Sequence, residues 1–475
     1  MDKVELRGTI MSSPSTVPAR NRTFAARVLP VVEDWSFASL KPSQTLWGPH
    51  GYHRYPAKFI PQLARRIIEN YSTPDSLVGD PFLGSATTGI EAIRAGRAFW
   101  GADINPVALL ISQAKCIPLD AQKLSNSWKR LEGQLDLLPR IGRRLLTEAE
   151  RTSIRSINIA RASSEERLAY WFPADHRTVL EQQLRLITRL KNPSLRTFFL
   201  CAFSNMLRGC SIWLSGSTKP QKDLDKTLSD PVESFRRQVR DMIRRNNAYS
   251  ADLIHSNINP DIVSSWCAIE FQDARRLHIR DGQLDLIVTS PPYATCYQYL
   301  DIHQLTQLWF EKHRIIEPDD MRQACIGGKA VSMRERHADD TSTGSKAADA
   351  ALSKLARLCK GTAEYAVDRE MRALRYYFQD MQSAIKEMAR VLARGKYLVL
   401  IVGDSYKRGI NIPTSAALSE MAAVSGLTLE RKIVRQVPAR VLVSTRDKKT
   451  GRFSSAEQSD TQVYPEEDIL IFKRS

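Results

Sequence analysis

Between residues 76 and 103 a helix pattern is flanked by two strand patterns, and that alternation constrains the fold more than any other feature. Ser76 to Asp80 reads as a buried strand, and the turn that follows contains Gly84. Thr87, Ile90, Ile93 and Arg94 follow helical spacing, Gly96 closes that helix, and Phe99 to Asp103 reads as a second strand. Strand, turn, helix and strand predict a βαβ unit of a doubly wound α/β fold with a mostly parallel sheet. Ligands of such sheets bind beyond the carboxyl ends of the strands, where Asp80 and Asp103 stand.

The rest of the chain extends this sheet. A helix is predicted from Pro56 through Phe59, Leu63, Ile67 and Ile68, stopping near Tyr71. The next clear strands are Ile269 to Gln272 and Leu284 to Thr289, so a large helical insertion, residues 120–262, separates them from Asp103. Within it Leu180, Gln183, Leu184, Leu186, Ile187 and Leu190 keep helical spacing, and Phe198 to Met206 is nearly all apolar. Tyr299 to Trp309 reads as helical and residues 337–350 as a mobile loop. Leu374, Tyr377, Phe378, Met381, Ile385, Met388 and Leu392 form an amphipathic stripe ending at Gly395. Strands Tyr397 to Val402, Thr428 to Val437 and Asp468 to Phe472 then complete the sheet, with no separate module after the last one. The expected organisation is a polar arm (1–40), a first sheet half (41–119), the insertion (120–262), a second half (263–310), a variable region (311–370) and the remaining sheet (371–475).

A net charge of +17 points to a polyphosphate partner. Five arginines, at 236, 237, 240, 244 and 245, lie in a helical setting, where a solvated helix face and a phosphate-binding face compete as readings. Arg236, Arg240 and Arg244 are the candidates for nucleic-acid contact, joined by Lys407 and Arg408 and by Arg446, Lys448 and Lys449 in a polar loop. Seven scattered cysteines without a Cys-x-x-Cys pair argue against zinc and disulfides, and for a reducing, cytoplasmic compartment. The start of the chain lacks a signal-like apolar run, and no window is apolar for about 18 residues, so no membrane span is expected. His50 and His53 have no identifiable acid partner and are read as surface or cleft residues.

The chemistry concentrates in Thr289-Ser290-Pro291-Pro292-Tyr293, directly after the apolar run Leu284 to Val288. Two prolines fix φ and remove two backbone donors, which leaves the carbonyls of Ser290 and Pro291 as acceptors beside a hydroxyl and an aromatic ring. Those groups suit the exocyclic amine and the flat face of a base. Upstream, a strand ending in Asp80 and a glycine turn suits a ligand with an ammonium group, and Asp103 stands where an acid accepts ribose hydroxyls.

Asp80-Pro81-Phe82-Leu83-Gly84-Ser85-Ala86-Thr87-Thr88 resembles the cofactor motif of amino-group DNA methyltransferases. Thr289 to Tyr293 resembles their catalytic motif in its N4-cytosine form, and His53 to Pro61 is similar to the segment preceding the cofactor motif. One departure is Ala86, where the family usually has a second glycine; a slightly tighter turn is expected there. The resemblance implies S-adenosylmethionine as cofactor and no metal. It places Tyr55, Lys58, Phe59, Asp80, Pro81, Phe82, Gly84, Thr87, Asp103, Ile104, Asp273 and Thr289 around that cofactor. Asp80 would take the methionine amino group, Asp103 the ribose and Asp273 the adenine amino group, while Ser290, Pro291, Pro292 and Tyr293 would form the catalytic turn.

Duplex DNA is the implied partner, with a cognate restriction nuclease or defence-system proteins by analogy. The implied activity is methyl transfer to cytosine N4 by base flipping, with sequence recognition expected in the insertion. Adenine N6 is the first rival, since the same pocket serves either amine. An RNA base methyltransferase and a basic nucleic-acid-binding protein on a degenerate scaffold are the others.

Overall fold

The computed structural model describes residues 32–55, 58–217, 219–294, 299–317, 325–327, 342–357, 364–437 and 466–475. From the amino-terminal side the chain runs through α1 (Pro61–Tyr71), β1 (Leu77–Asp80), α2 (Thr87–Arg94), β2 (Ala98–Asp103) and α3 (Pro106–Cys116). The insertion then carries α4 (Ala121–Leu135), α5 (Glu148–Ser156), α6 (Ser164–Trp171), α7 (Ala174–Thr188), α8 (Pro193–Met206) and α9 (Pro231–His255). It is followed by β3 (Cys267–Phe271), β4 (Leu284–Thr289), α10 (Gln304–Lys312), α11 (Lys346–Arg357) and α12 (Glu364–Val391). Last come β5 (Leu392–Val402), a hairpin of β6 (Ser405–Lys407) and β7 (Ile410–Ile412), α13 (Thr414–Val424), β8 (Leu427–Gln436) and β9 (Glu466–Arg474).

Seven strands form one sheet in the order β3-β2-β1-β4-β5-β9-β8. The first five are parallel, with Leu77 opposite Ala98 and Val78 opposite Leu286. β9 runs antiparallel to both β5 and β8. The strand order reverses between β1 and β4, and open sheets of this kind bind their ligands in the crevice outside the carboxyl ends of the strands at such a switch point.

Strand alternation divides the core between two faces. Val78, Leu286, Val288, Val399, Ile401, Ile469 and Ile471 pack with Leu63, Ile67 and Ile68 of α1 and Ile90 and Ile93 of α2. Ile287, Leu398, Leu400, Val402, Leu470 and Phe472 face the predicted stripe of α12, from Leu374 to Met388, and Leu418 of α13. A third core belongs to the insertion, where Trp128, Trp171, Leu180, Leu184, Phe198, Phe199, Phe203, Trp213 and Phe235 pack together. Leu305, Trp309 and Phe310 of α10 join this third core rather than the sheet.

Several boundaries differ from the sequence reading. α1 starts at Pro61, where a fixed φ and a missing N–H suit a first helical turn, and Ile60 before it is extended. Residues 346–350, expected as loop, open α11, and residues 337–341 lie outside the described segments, as do Pro56 and residues 1–31 of the expected arm. Leu392 leaves the α12 stripe and starts β5, opposite Leu284. Leu190 falls beyond the end of α7. Among the described residues no helix is long and apolar enough to cross a membrane.

Candidate active site

Asp80 closes β1 at the switch point and is only 2% exposed. Its Oδ1 accepts from Thr289 Oγ1 at 2.6 Å and from the Phe82 amide at 3.1 Å, and its Oδ2 accepts from Thr88 Oγ1 at 2.9 Å. The carboxylate thus ties the turn after β1 to the last residue of β4. Burial raises its pKa to about 7 against the opposing effect of these hydrogen bonds, and the neighbouring Asp103 charge adds to the rise. A carboxylate offers about four lone-pair sites, so three donors leave Oδ2 room for one more.

The turn itself is shaped by backbone geometry. Gly84 has φ +52, and a Cβ there would stand 3.4 Å from the Tyr55 ring. Ala86 also adopts the left-handed region, φ 58 and ψ 37, as the residue before α2. The departure from glycine therefore places a Cβ where the backbone favours none, a strain of about 1 kcal/mol. Asp103, at the end of β2, accepts from the Gly84 amide at 2.9 Å and the Asn105 amide at 2.8 Å, which fixes its rotamer.

These groups fit S-adenosylmethionine. Asp103 keeps lone pairs for hydroxyls, and the hydroxyls of Ser85 and Thr87 are buried with no partner among the described residues. Two ammonium groups bear on the site, Lys115 buried and Lys58 half-buried. Lys58 donates to the His50 carbonyl at 2.9 Å and Lys115 reaches the Ser85 carbonyl at 3.5 Å; burial lowers both pKa values, that of Lys115 to about 8. A nucleoside carrying an amino acid supplies the hydroxyls and the carboxylate that such a donor set lacks. Phe82 and Ile104 are half-buried beside this crevice, and Pro81 is buried.

On the other side of the crevice, three side chains anchor the Thr289–Tyr293 turn. Thr289 holds Asp80, the Tyr377 hydroxyl donates to the Pro292 carbonyl at 2.8 Å, and the Tyr293 hydroxyl stands 3.0 Å from Glu467 Oε1. Ser290 is half-buried at the mouth. Tyr377 engages the Pro292 carbonyl, and among the described residues no donor engages those of Ser290 and Pro291.

Other expectations need correction. Phe59 is a buried core residue packed with Leu63, Ile67 and Ile68 of α1. Asp273 is engaged by Arg275, whose Nε lies 3.0 Å from Oδ1 and whose NH1 also reaches Asp380 at 3.0 Å, so any adenine contact must share that carboxylate. Arg236 is 7% exposed and paired with Asp136 and with Glu233 at 3.1 Å, which removes it from any phosphate face. Arg240 and Arg244 are exposed but pair with Glu132 and Asp241, and Lys407 and Arg408 both pair with Glu370. Arg446, Lys448 and Lys449 lie outside the described residues.

His50 and His53 are buried rather than superficial. His50 Nε2 lies 2.8 Å from Glu91 Oε1, and His53 Nε2 lies 2.8 Å from Ser204 Oγ of α8, which in turn is 2.7 Å from Thr306 Oγ1 of α10. Burial pushes the His50 pKa down to about 4 and that of His303 to about 3. His303 Nδ1 accepts from Asn105 Nδ2 at 3.2 Å, because the Asn105 oxygen caps α3 at the Val107 amide. This chain of contacts joins the Asp103 loop to the helical segment that follows the Thr289–Tyr293 turn.

The contacts that Thr88, Asn105, His303, Tyr377 and Glu467 make around the site were not foreseen from the sequence, which placed Thr88 only within a motif and Tyr377 only on a helix stripe. Thr88 has a signal, the Thr-Thr pair that opens α2. Tyr377 and Glu467 have none, since they arrive from 85 and 174 residues away.

Carboxylates at successive strand ends of a switch point, with the Thr289–Tyr293 turn opposite, fit an S-adenosylmethionine-dependent methyltransferase. Residues 22–114 match the N6/N4 DNA methylase family. The chain is similar to the type II methyltransferase M.MvaI of Kocuria varians, 25% identical over 78% of this chain and 80% of that one. It is also similar to the type II methyltransferase M.MjaII of Methanocaldococcus jannaschii, 22% identical over 60% of this chain and 67% of the relative. A 93-residue stretch is 34% identical to the DNA adenine methyltransferase YhdJ of Escherichia coli, covering 19% of this chain and 32% of that protein. These matches support the amino-group DNA methyltransferase family for this chain.

Proposed function

We propose that this protein is a site-specific methyltransferase acting on the N4 amine of cytosine in duplex DNA, with the base turned out of the helix. The observation that supports it is the Ser290–Tyr293 turn, tied through Thr289 to Asp80 and facing the cofactor crevice. When bound, S-adenosylmethionine supplies a methyl group already activated on a sulfonium. Asp103 would hold the ribose, Asp80 the amino group and Asp273 the adenine.

An exocyclic amine attacks poorly because its lone pair is delocalised into the ring. Ser290 Oγ and the Pro291 carbonyl accept its hydrogens and turn the lone pair out of the ring plane. The anchored turn would hold the amine nitrogen toward the methyl donor. With cofactor bound, the nitrogen would take the methyl group as its bond to sulfur broke, leaving a neutral thioether, and the surplus proton on nitrogen would pass to water. Tyr293 compensates the stacking lost when the base is extruded. The insertion, with residues 311–370, would read the DNA sequence.

Ser290 at the head of the turn favours cytosine. Adenine N6 is the second reading, favoured by the 34% identity to an adenine methyltransferase over 93 residues. Incubation with methyl-labelled S-adenosylmethionine and unmethylated genomic DNA, followed by nucleoside mass spectrometry, tests both. N4-methylcytosine is expected, N6-methyladenine would replace the cytosine reading, and label in RNA alone would overturn the DNA substrate.

A further inference from the structure

The ring of Tyr293 is held from outside the catalytic motif. Its hydroxyl lies 3.0 Å from Oε1 of Glu467, on β9, and the other oxygen of Glu467 accepts from Arg435 NH2, on β8, at 2.7 Å. Arg435 and Glu467 face each other in the antiparallel register of the two strands. Arg435 is 2% exposed, and the Glu467 side chain is also largely covered. Gly403, one residue past β5, brings its backbone against the ring, since a Cβ there would stand 3.7 Å from Tyr293 Cε2.

A covered guanidinium is costly to desolvate unless its partner is well placed, and pairs of this kind are weak contributors to stability compared with apolar packing. Their use lies in geometry. A carboxylate held in one rotamer by arginine presents a fixed acceptor, so a phenol bonded to it cannot swing its tip away from the pocket, while the Gly403 backbone against the ring limits how its face can turn.

We propose that Glu467 and Arg435 are positioning residues for methyl transfer, fixing Tyr293 by its hydroxyl so that the ring face meets the extruded base. This rests on the reading of Tyr293 as the residue that stacks on the base. The sheet edge thereby takes part in catalysis through a residue it does not itself carry, and neither strand holds a motif that marks it.

The test compares full-length Tyr293→Phe, Glu467→Gln, their double variant and Arg435→Lys. Each is assayed for cofactor affinity by calorimetry and for kcat and KM on a duplex whose target has been mapped with the native protein. Each single variant should lose roughly tenfold to a hundredfold in kcat/KM for DNA with cofactor affinity unchanged. The double variant should lose no more than Glu467→Gln alone. Full turnover by Glu467→Gln, or losses that multiply in the double variant, would overturn the inference. Should Glu467→Gln fail to fold, Tyr293→Phe decides, because it removes only the hydroxyl, and native turnover there also overturns it. Native turnover by Tyr293→Ala would instead bring down the stacking role itself.

Discussion

The sheet and the helical insertion use charge in opposite ways. At the strand ends Asp80 is a buried carboxylate and Asp103 a half-buried one, held by hydroxyls and backbone amides, with no arginine or lysine paired to either among the described residues. In the insertion, Arg144 bridges Glu150 and Asp175 at 2.7 Å, Arg236 meets Asp136 and Glu233, and Arg245 holds Asp241. A buried charge held by neutral donors is poised for a ligand of opposite sign, whereas a charge with its counterion in place is already serving the architecture. Net positive charge therefore says little about which arginines meet DNA until their partners are known.

The contrast predicts that charge and hydrogen-bond changes in the sheet act on chemistry and ligand binding, and those in the insertion act on stability. The largest effect belongs to Ser290→Ala, expected to lower kcat by about 10²–10³ with cofactor affinity intact, read in single-turnover methyl transfer. A kcat within threefold of native would remove Ser290 from the amine's acceptors.

Next is the pH response of Asp80. Its folded pKa of about 7 lies above the usual carboxylate value of about 3.9, so the folded state holds this proton between those limits while the unfolded chain releases it. Stability is lost as pH rises from about 4 to 7, by up to ~4 kcal/mol at 1.36 kcal/mol per unit. Asp80→Asn should flatten that slope in urea titrations without cofactor, and an unchanged slope would break the picture of an uncompensated buried charge. The neutral buried His50 and His303 act in the opposite sense, lowering stability as pH falls below about 6.5, so the comparison must be made against the native protein at each pH.

Asp103→Ala should weaken cofactor binding by roughly 1.5–3 kcal/mol, the worth of a charged hydrogen-bond partner, in calorimetry. On the insertion side, Arg236→Met should cost about 1 kcal/mol of stability while leaving the salt dependence of DNA binding unaltered. A salt slope reduced by about one would mean that Arg236 leaves its carboxylates for a phosphate. The smallest effect is expected at Ala86, where Ala86→Gly relieves a left-handed backbone but adds unfolded-state freedom, for a net change within about 1 kcal/mol.

Much of the sheet was legible because its signals are local. The βαβ unit from Leu77 to Asp103, strand β4 and the α12 stripe lie where periodicity places them, since burying an apolar face demands spacing of two or 3.6 residues. Helix starts were less legible. Pro56 and Pro61 both satisfy the rule for a first turn, and only the extended backbone at Ile60 selects the second.

The site divides in the same way. The sequence alone determined which chemistry the chain can carry, because the Asp80 and Thr289–Tyr293 motifs each hold their groups within a few consecutive residues. Tertiary structure decided how those groups are held and which charges are free. It set Thr289 against Asp80, Tyr377 against Pro292, Glu467 against Tyr293 and Asp136 against Arg236. Contacts between residues so far apart in the chain leave no local pattern, since their geometry comes from sheet order and helix packing.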